Sequence, residues 1–336
     1  MVQSIFRSGE VVWCQIQPPS WRLGLLVRPE MSGRKTEWVV RQFTLNHVQL
    51  DPKDQLKDEN SIRPFLAFSV PGVDDSALPG LAGQDMSNFA WNRLLEQCRG
   101  DDVRQRKLEL EASKIGAANI DHSFSTFNRL PSNNPMRDTY GGAFIGCERV
   151  HIGDAIRIHQ AEGMALEGPD GSLMPVAMGI KDIYTDKIGA LDLHFVGDIW
   201  RMEMTDQPPK VPLRDLPEDL VAEMEFRNGV TSRNRIWYEW ARIRENSTIS
   251  RFQIQGRFYP TDRLMPLAKP QEHADDVKQG RITEFRALNN MGDSQSVDLG
   301  RKQNRWEAVK RVMSESQGAL LDFGPSVREE FLGNTS

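Results

Sequence analysis

Apolar and polar residues alternate in short runs along most of this chain, and the runs stop at turn-forming residues. The first set is Gly9-Glu-Val-Val-Trp-Cys-Gln-Ile16, Trp21-Arg-Leu-Gly-Leu-Leu-Val27, Glu37-Trp-Val-Val-Arg-Gln-Phe43 and His47-Val-Gln-Leu50. Branched and aromatic residues in such runs suit a half-buried pleated surface, and Pro-Pro, Arg-Pro and Ser-Gly break them. The pattern predicts a small antiparallel barrel or meander, in which His47 is a hydrogen-bonded barrel residue. Pro64-Phe-Leu-Ala-Phe-Ser-Val-Pro71 adds another apolar element, and the Gly-, Pro- and Asp-rich stretch 72–83 reads as a linker or surface loop.

The period then changes. Phe89, Trp91, Leu94, Leu95 and Cys98 fall mostly on one side at helical spacing, and 101–120 continues as a second helix packing through Ala112, Ile115, Ala117, Ala118 and Ile120. Residues 123–138, rich in Ser, Asn and Pro, read as a loop. Strands return at 140–158, 176–184 and 191–202, punctuated by Gly153-Asp154 and Gly197-Asp198. After a polar excursion over 205–217, the stretch 218–226 reads as a helix or a strand, and Ile236-Trp-Tyr-Glu-Trp-Ala-Arg-Ile243 and Phe252-Gln-Ile-Gln-Gly-Arg-Phe-Tyr259 read as strands. Residues 269–299 are polar enough for a mobile connection. Trp306, Val309, Val312 and Met313 then repeat at three and four on one amphipathic helix.

The fold class expected is mostly β with helical inserts (α+β). Its four parts are an N-terminal β-rich region (1–83), a helical connector (84–138), a β domain (139–268), and a polar linker with an amphipathic C-terminal helix (269–336). A length of 336 residues suits about two cores. The 42 Lys and Arg against 47 Asp and Glu give a net charge of −5, so any nucleic-acid binding must be local. Three cysteines, Cys14, Cys98 and Cys147, lie far apart, which argues against a disulfide framework or a Cys-x-x-Cys zinc site and for a reducing compartment. No apolar run approaches 18 residues and the first residues lack a signal-peptide pattern, so an intracellular chain that does not span a membrane is expected.

Catalytic patterns are missing from the sequence: no Gly-Lys-Ser/Thr follows the Gly pairs, and there is no Gly-x-Ser-x-Gly or His-Glu-x-x-His. His122, His151, His159, His194 and His273 are scattered; His151 and His159 lie eight apart, but zinc would need two further ligands nearby. Asp154, Asp182, Asp186 and Asp198 read as turn formers. No cofactor and no metal is expected.

The strands from Gly142 onward resemble a bromo-adjacent homology (BAH) domain, with Gly153-Asp-Ala-Ile-Arg and Met178-Gly-Ile-Lys-Asp-Ile in the roles of its opening strands. More broadly, Gly9-Glu-Val-Val-Trp-Cys, Pro64-Phe-Leu-Ala-Phe, Ala112-Ser-Lys-Ile-Gly-Ala-Ala, Phe144-Ile-Gly-Cys-Glu-Arg-Val-His-Ile-Gly-Asp-Ala-Ile-Arg and Gly256-Arg-Phe-Tyr-Pro-Thr-Asp-Arg-Leu-Met-Pro occur in the order found in the fungal silencing factors of the cryptic loci regulator 2 (Clr2) family, which the chain resembles. That resemblance implies a nuclear, non-enzymatic scaffold of a histone-deacetylase and chromatin-remodelling complex. Its partners would be subunits of that complex, with nucleosome or DNA as a further contact.

Candidate binding residues follow from residue type. Trp13, Trp21, Trp38 and Phe43 lie on strands whose Gly-Glu-Val-Val-Trp start also resembles PWWP- and Tudor-like barrels, so they form either an aromatic cage for methyl-lysine or a barrel core. Trp237 and Glu239 share one strand face and Tyr238 and Trp240 the other; one pair is core, and the partner contacts are drawn from Trp237, Tyr238, Trp240 and Trp306. Arg227, Arg233, Arg235, Arg242, Arg244 and Arg251 form an Arg-rich run. Arg301, Lys302 and Arg305, with Lys310 and Arg311, give the C-terminal helix its charge. These are phosphate contacts or a solvated, acid-paired face, and the nucleic-acid set is Arg227, Arg233, Arg235, Arg242, Arg244, Arg301, Lys302 and Arg305. Two other classes stay open: a β-scaffold enzyme pairing carboxylates from Asp154, Glu148 and Asp198, and a stand-alone DNA-binding module.

Overall fold

The computed structural model describes residues 4–18, 20–33, 35–43, 54–65, 89–159, 164, 174–187, 192–209, 216–283, 303–305, 308–309 and 329–330. His47, Arg301, Lys302, Trp306, Lys310 and Arg311 lie outside them. Strands dominate, joined by helices. In chain order they are β1 (Val11–Gln17), β2 (Ser20–Ser32), β3 (Lys35–Gln42), β4 (Asp54–Asp58), β5 (Ile62–Pro64), α1 (Trp91–Gln97), α2 (Asp102–Asp121), β6 (Ser123–Leu130), β7 (Arg137–Ile145), β8 (Glu148–His151), β9 (Ala155–Ile158), β10 (Val176–Asp186), β11 (Leu193–Thr205), α3 (Glu218–Thr231), β12 (Trp237–Ser250), β13 (Ile254–Arg257), α4 (Thr261–Ala268), α5 (Pro270–Lys278) and β14 (Gln303–Asn304). Cys14, Cys98 and Cys147 are buried and form no disulfide. Burial pushes the Cys14 thiol up to about 12, against smaller opposing effects of Lys57 and Arg22, so it stays protonated and inert.

The chain forms two compact units that interleave along the sequence. One comprises Phe6–Thr126, Phe144–Arg149 and Gly300–Ser336; the other comprises Met1–Ile5, Phe127–Ala143 and Val150–Leu299. The division runs across the four consecutive segments expected from the sequence: the helical stretch to Thr126 belongs with the N-terminal strands, and so does the tail.

In the first unit, β1 to β5 make an antiparallel sheet ordered β4-β3-β2-β1-β5. Laid flat, five strands would hold β4 and β5 roughly 19 Å apart. Yet only the single-turn segment Glu59–Ser61 connects them, and the chain from Asp58 to Ile62 spans at most about 14 Å even when extended. The sheet is therefore rolled. Lys57 on β4 accordingly donates to the Gln15 carbonyl on β1 at 2.6 Å, although two strands separate β4 from β1 in the sheet order. The barrel-like expectation for this region thus has a geometric basis. Helix α2 is capped by the Asp101 carboxylate, which accepts from Arg104 N, and of the positions read in the sequence it buries Ala112, Ile115, Ala117 and Ile120, with Ala118 half-buried and Leu108 buried besides. Its Glu109 pairs with Arg22 of β2 at 2.6 Å.

In the second unit, β10, β11 and β12 form an antiparallel meander. The other edge of β10 pairs with β9 at Ala177–Gly179 and with β7 at Tyr184–Asp186, and β13 adds to β9. Helix α3 covers one face, closing a core of Trp200, Met202, Leu220, Met224, Trp240 and Phe258. The stretch 218–226, open between helix and strand in the sequence, is thus helical. Two further elements depart from expectation. Residues 123–130, read as a loop, are strand β6, whose Ser123, Ser125 and Thr126 are buried. Residues 270–278, read as part of a polar connection, are helix α5.

Candidate interaction surface on the bulged edge strand

The sheet of the second unit ends, among the described residues, at β12. Its alternation is broken twice. Ser247 pairs with Gly197 and Arg244 with Ile199, so Glu245 and Asn246 oppose Asp198 alone; Arg242 then pairs with Trp200, leaving Ile243 extra. Two residues against one is a β-bulge, which re-aims the side chains around it. Here Arg242 and Arg244 come out exposed.

Asp198 organises this bend. It sits mid-strand and 2% exposed, accepting from Lys181 Nζ at 2.7 Å, from the backbone N of Asn246 at 2.9 Å and from Arg242 Nη1 at 3.4 Å. Asn246 takes a positive φ of 45° to present that N–H. Burial alone would raise the Asp198 pKa, but these partners outweigh it and hold the carboxyl below the usual range. A carboxylate so saturated has no proton to give, which removes it from an acid/base pair. The turn-former reading of Asp198 is likewise corrected, because the Gly197-Asp198 dipeptide that suggested a turn is a bulge inside a strand. Asp154 does form a turn, accepting from His151 N at 2.7 Å, and Glu148 is buried. Among the described residues no group of three His, Cys, Asp or Glu is placed to hold a metal.

The structure sorts the candidate aromatics. Tyr238 and Trp240 face the α3 side: Trp240 is fully buried and donates its Nε1–H to the Leu220 carbonyl at 2.8 Å, while Tyr238 packs half-buried against the same core. Asn228 of α3 accepts from Tyr238 N at 2.7 Å and donates to its carbonyl at 3.0 Å, covering the strand's outer edge there. Trp240 is therefore core rather than partner contact. Trp237 points to the opposite face and is half-buried, with Glu239, Ala241 and Ile243. Trp306 lies outside the described residues. The cage reading of the first unit meets a steric objection: Trp13, Trp38 and Phe43 are all buried, with the indole N–H groups of Trp13 and Trp38 donating to Phe65 O and to Glu59 Oε1. Trp21 alone is partly open, with the Arg63 guanidinium 5.2 Å from its ring centre.

The arginines divide as sharply. Arg227, 1% exposed, donates to Glu223 at 2.6 Å inside α3; Glu223 in turn accepts from Thr261 N and Oγ1 at the start of α4. Glu223 thus joins the two helices, and Arg227, buried against it, cannot reach a phosphate. Arg251 is buried against Asp192. Arg305 is fully buried, donating to the carbonyls of Gly146 and Gly9. Arg227 and Arg305 therefore leave the nucleic-acid set, since a guanidinium with five donors serves equally well to satisfy buried oxygens. Arg233, Arg235 and Arg244 are exposed and take part in no ion pair among the described residues. Arg235 sits at φ 57° in the turn that leads from α3 into β12. Arg242 is shared between Asp198 and Glu245. The sequence missed Lys181 and Asn246, and no spacing signal marks them, because two separate ladder irregularities, one leaving Lys181 extra in β10 and one at Asn246 in β12, bring them to Asp198.

Among the described residues no helix is long and apolar enough to cross a membrane. No curated protein matches the chain by sequence. A solved structure of Clr2 bound to the Clr1 C-terminus aligns at 13% identity with a TM-score of 0.49, over 91% of this chain and 58% of that one, so this chain spans just over half the length of that neighbour. Residues 140–260, which run from within β7 through β13 and contain the bulged strand, match the family model of the transcription-silencing protein Clr2.

Proposed function

We propose that this chain is a non-enzymatic, chromatin-associated scaffold subunit of a heterochromatin-silencing complex, working in the nucleus and holding histone-deacetylase or remodeller subunits. The observation that carries the reading is the coincidence of the silencing-family match over 140–260 with exposed arginines inside that stretch, Arg233 and Arg235 in the turn before β12 and Arg244 on β12 itself. The finer assignment of 139–268 as a BAH-like domain belongs to the same reading. Binding by such a surface is differential: the half-open face around Trp237 offers apolar area to a protein partner, and the arginines add salt-sensitive attraction. Affinity purification of the tagged chain from nuclei is expected to bring down deacetylase or remodeller subunits; a purification containing neither overturns the reading.

A contact with nucleosomal or free DNA is favoured by the three arginines that have no acidic partner among the described residues. Replacing Arg233, Arg235 and Arg244 together by Ala is expected to flatten the dependence of log affinity on log salt for duplex DNA by roughly 2–3 units, at about 0.9 per phosphate contact. An unchanged slope removes DNA from the partner set and leaves the protein scaffold standing.

A further inference from the structure

The first unit is completed by a segment from far along the chain. Gln303 and Asn304 of β14 pair in parallel with Ser123 and Phe124 of β6, and Arg305, Ala308 and Val309 are all buried. Residues 284–302 separate it from the preceding described residue, Thr283.

The receiving surface is built for an arginine. The Arg305 guanidinium lies 3.9 Å from the centre of the Phe144 ring. Its Nε donates to Gly146 O at 2.8 Å and its Nη2 donates to Gly9 O. Both acceptors sit on glycines in left-handed conformation, φ 57° and 88°, and each is pinned from its N–H side, Gly146 by Ser123 O at 2.8 Å and Gly9 by Leu26 O at 2.7 Å. At Gly146 an added Cβ would run into Asp121, so no other residue can hold this turn without displacing a neighbour. Two backbone carbonyls fixed by their own hydrogen bonds, beside an aromatic face, match a planar guanidinium and not an ammonium point charge.

We propose that this cleft is a peptide-docking site whose occupant is the segment of this chain that carries Gln303, Asn304, Arg305, Ala308 and Val309, held as a separable ligand: two residues added to the β6 edge, then the buried Arg305, Ala308 and Val309. This adds an interaction surface to the first unit, independent of Arg233, Arg235 and Arg244 and of the silencing reading.

The test uses the full chain with a protease recognition sequence inserted between residues 290 and 291. After cleavage the C-terminal fragment is expected to co-elute with the rest of the chain on gel filtration. A labelled peptide covering residues 300–313 is then expected to enter the complex and release the fragment. Peptides carrying Arg305→Ala or Arg305→Lys should need at least tenfold higher concentration, because neither reproduces the two in-plane donors. Three results overturn the proposal: the fragment separates on cleavage, the labelled peptide fails to exchange with it, or the Arg305→Ala peptide enters as readily as the native one. A cleaved chain that loses its cooperative melt also overturns it, since the segment would then be core and not ligand.

Discussion

Asp198 shows what one buried carboxylate contributes when its partners are half in water. It is 2% exposed, whereas the side chains of Lys181 and Arg242 are 49% and 40% exposed. The ion pairs are therefore screened, and much of the group's value lies in fixing Asn246 N and the bulge. Asp198→Asn keeps an acceptor for that N–H but removes the charge, and is expected to cost about 1–2 kcal/mol at pH 7 in denaturant unfolding. The sign with pH follows from the depressed pKa. Its stabilising contribution is complete above the unfolded value of about 3.9 and is lost as pH falls through the lower folded value. The gap between wild type and Asp198→Asn should thus close in acid; a gap that stays constant to pH 2.5 would show that the charge plays no part.

At the level of elements, legibility depended on whether the local pattern or the tertiary surroundings decided the outcome. The strands β1 to β3 and β9 to β11, and the helix α2, were readable because their apolar residues recur at the period of the element they form. Strand β6 was not, because its Ser123, Ser125 and Thr126 are buried by neighbours and no hydropathy pattern marks them. Helix α5 has no buried residue at all and charges around its circumference; its visible tie is His273, which stacks on Phe226 of α3 at 5.5 Å between ring centres. The Nδ1 of His273 is buried without a hydrogen-bond partner, and burial lowers its pKa against a smaller raising effect of Asp276. A lowered folded pKa means that the unfolded or undocked form takes the proton first. Docking of α5 is therefore complete above about pH 6.5 and weakens as pH falls below it. Amide exchange in residues 270–278 is expected to speed up between pH 7.5 and 5.5 after correction for intrinsic rates, and His273→Phe should abolish that acceleration. Equal acceleration in the variant would place the pH response elsewhere.

On the scale of the whole molecule, the two compact units interleave along the sequence. A reader of the pattern cuts at 138/139, where the motif-bearing strands begin, and at 268/269, where polarity rises. The second unit in fact takes Phe127–Ala143 and continues past α4. Phe127 is buried, its ring meets His151 edge-on at 5.3 Å, and it occupies the space a side chain at Gly142 would need. Arg137 lies 3.9 Å over the Tyr184 ring and pairs with Asp186 at 3.2 Å; Asp138 is paired with Arg129 and Lys187, which holds its carboxyl below the usual range despite the opposing effect of burial. A fragment of residues 139–268 discards Phe127, Arg137, Asp138 and α5 together, and removing a buried Phe alone costs about 3–5 kcal/mol. At roughly 2–4 °C per kcal/mol for a domain of this size, that fragment should melt about 6–20 °C below one spanning residues 127–283, with a weaker near-ultraviolet circular dichroism signal from its loosened aromatics. If the two fragments melt together, the strands preceding Thr139 add nothing to the second unit, and the boundary read from the motifs alone is the physical one.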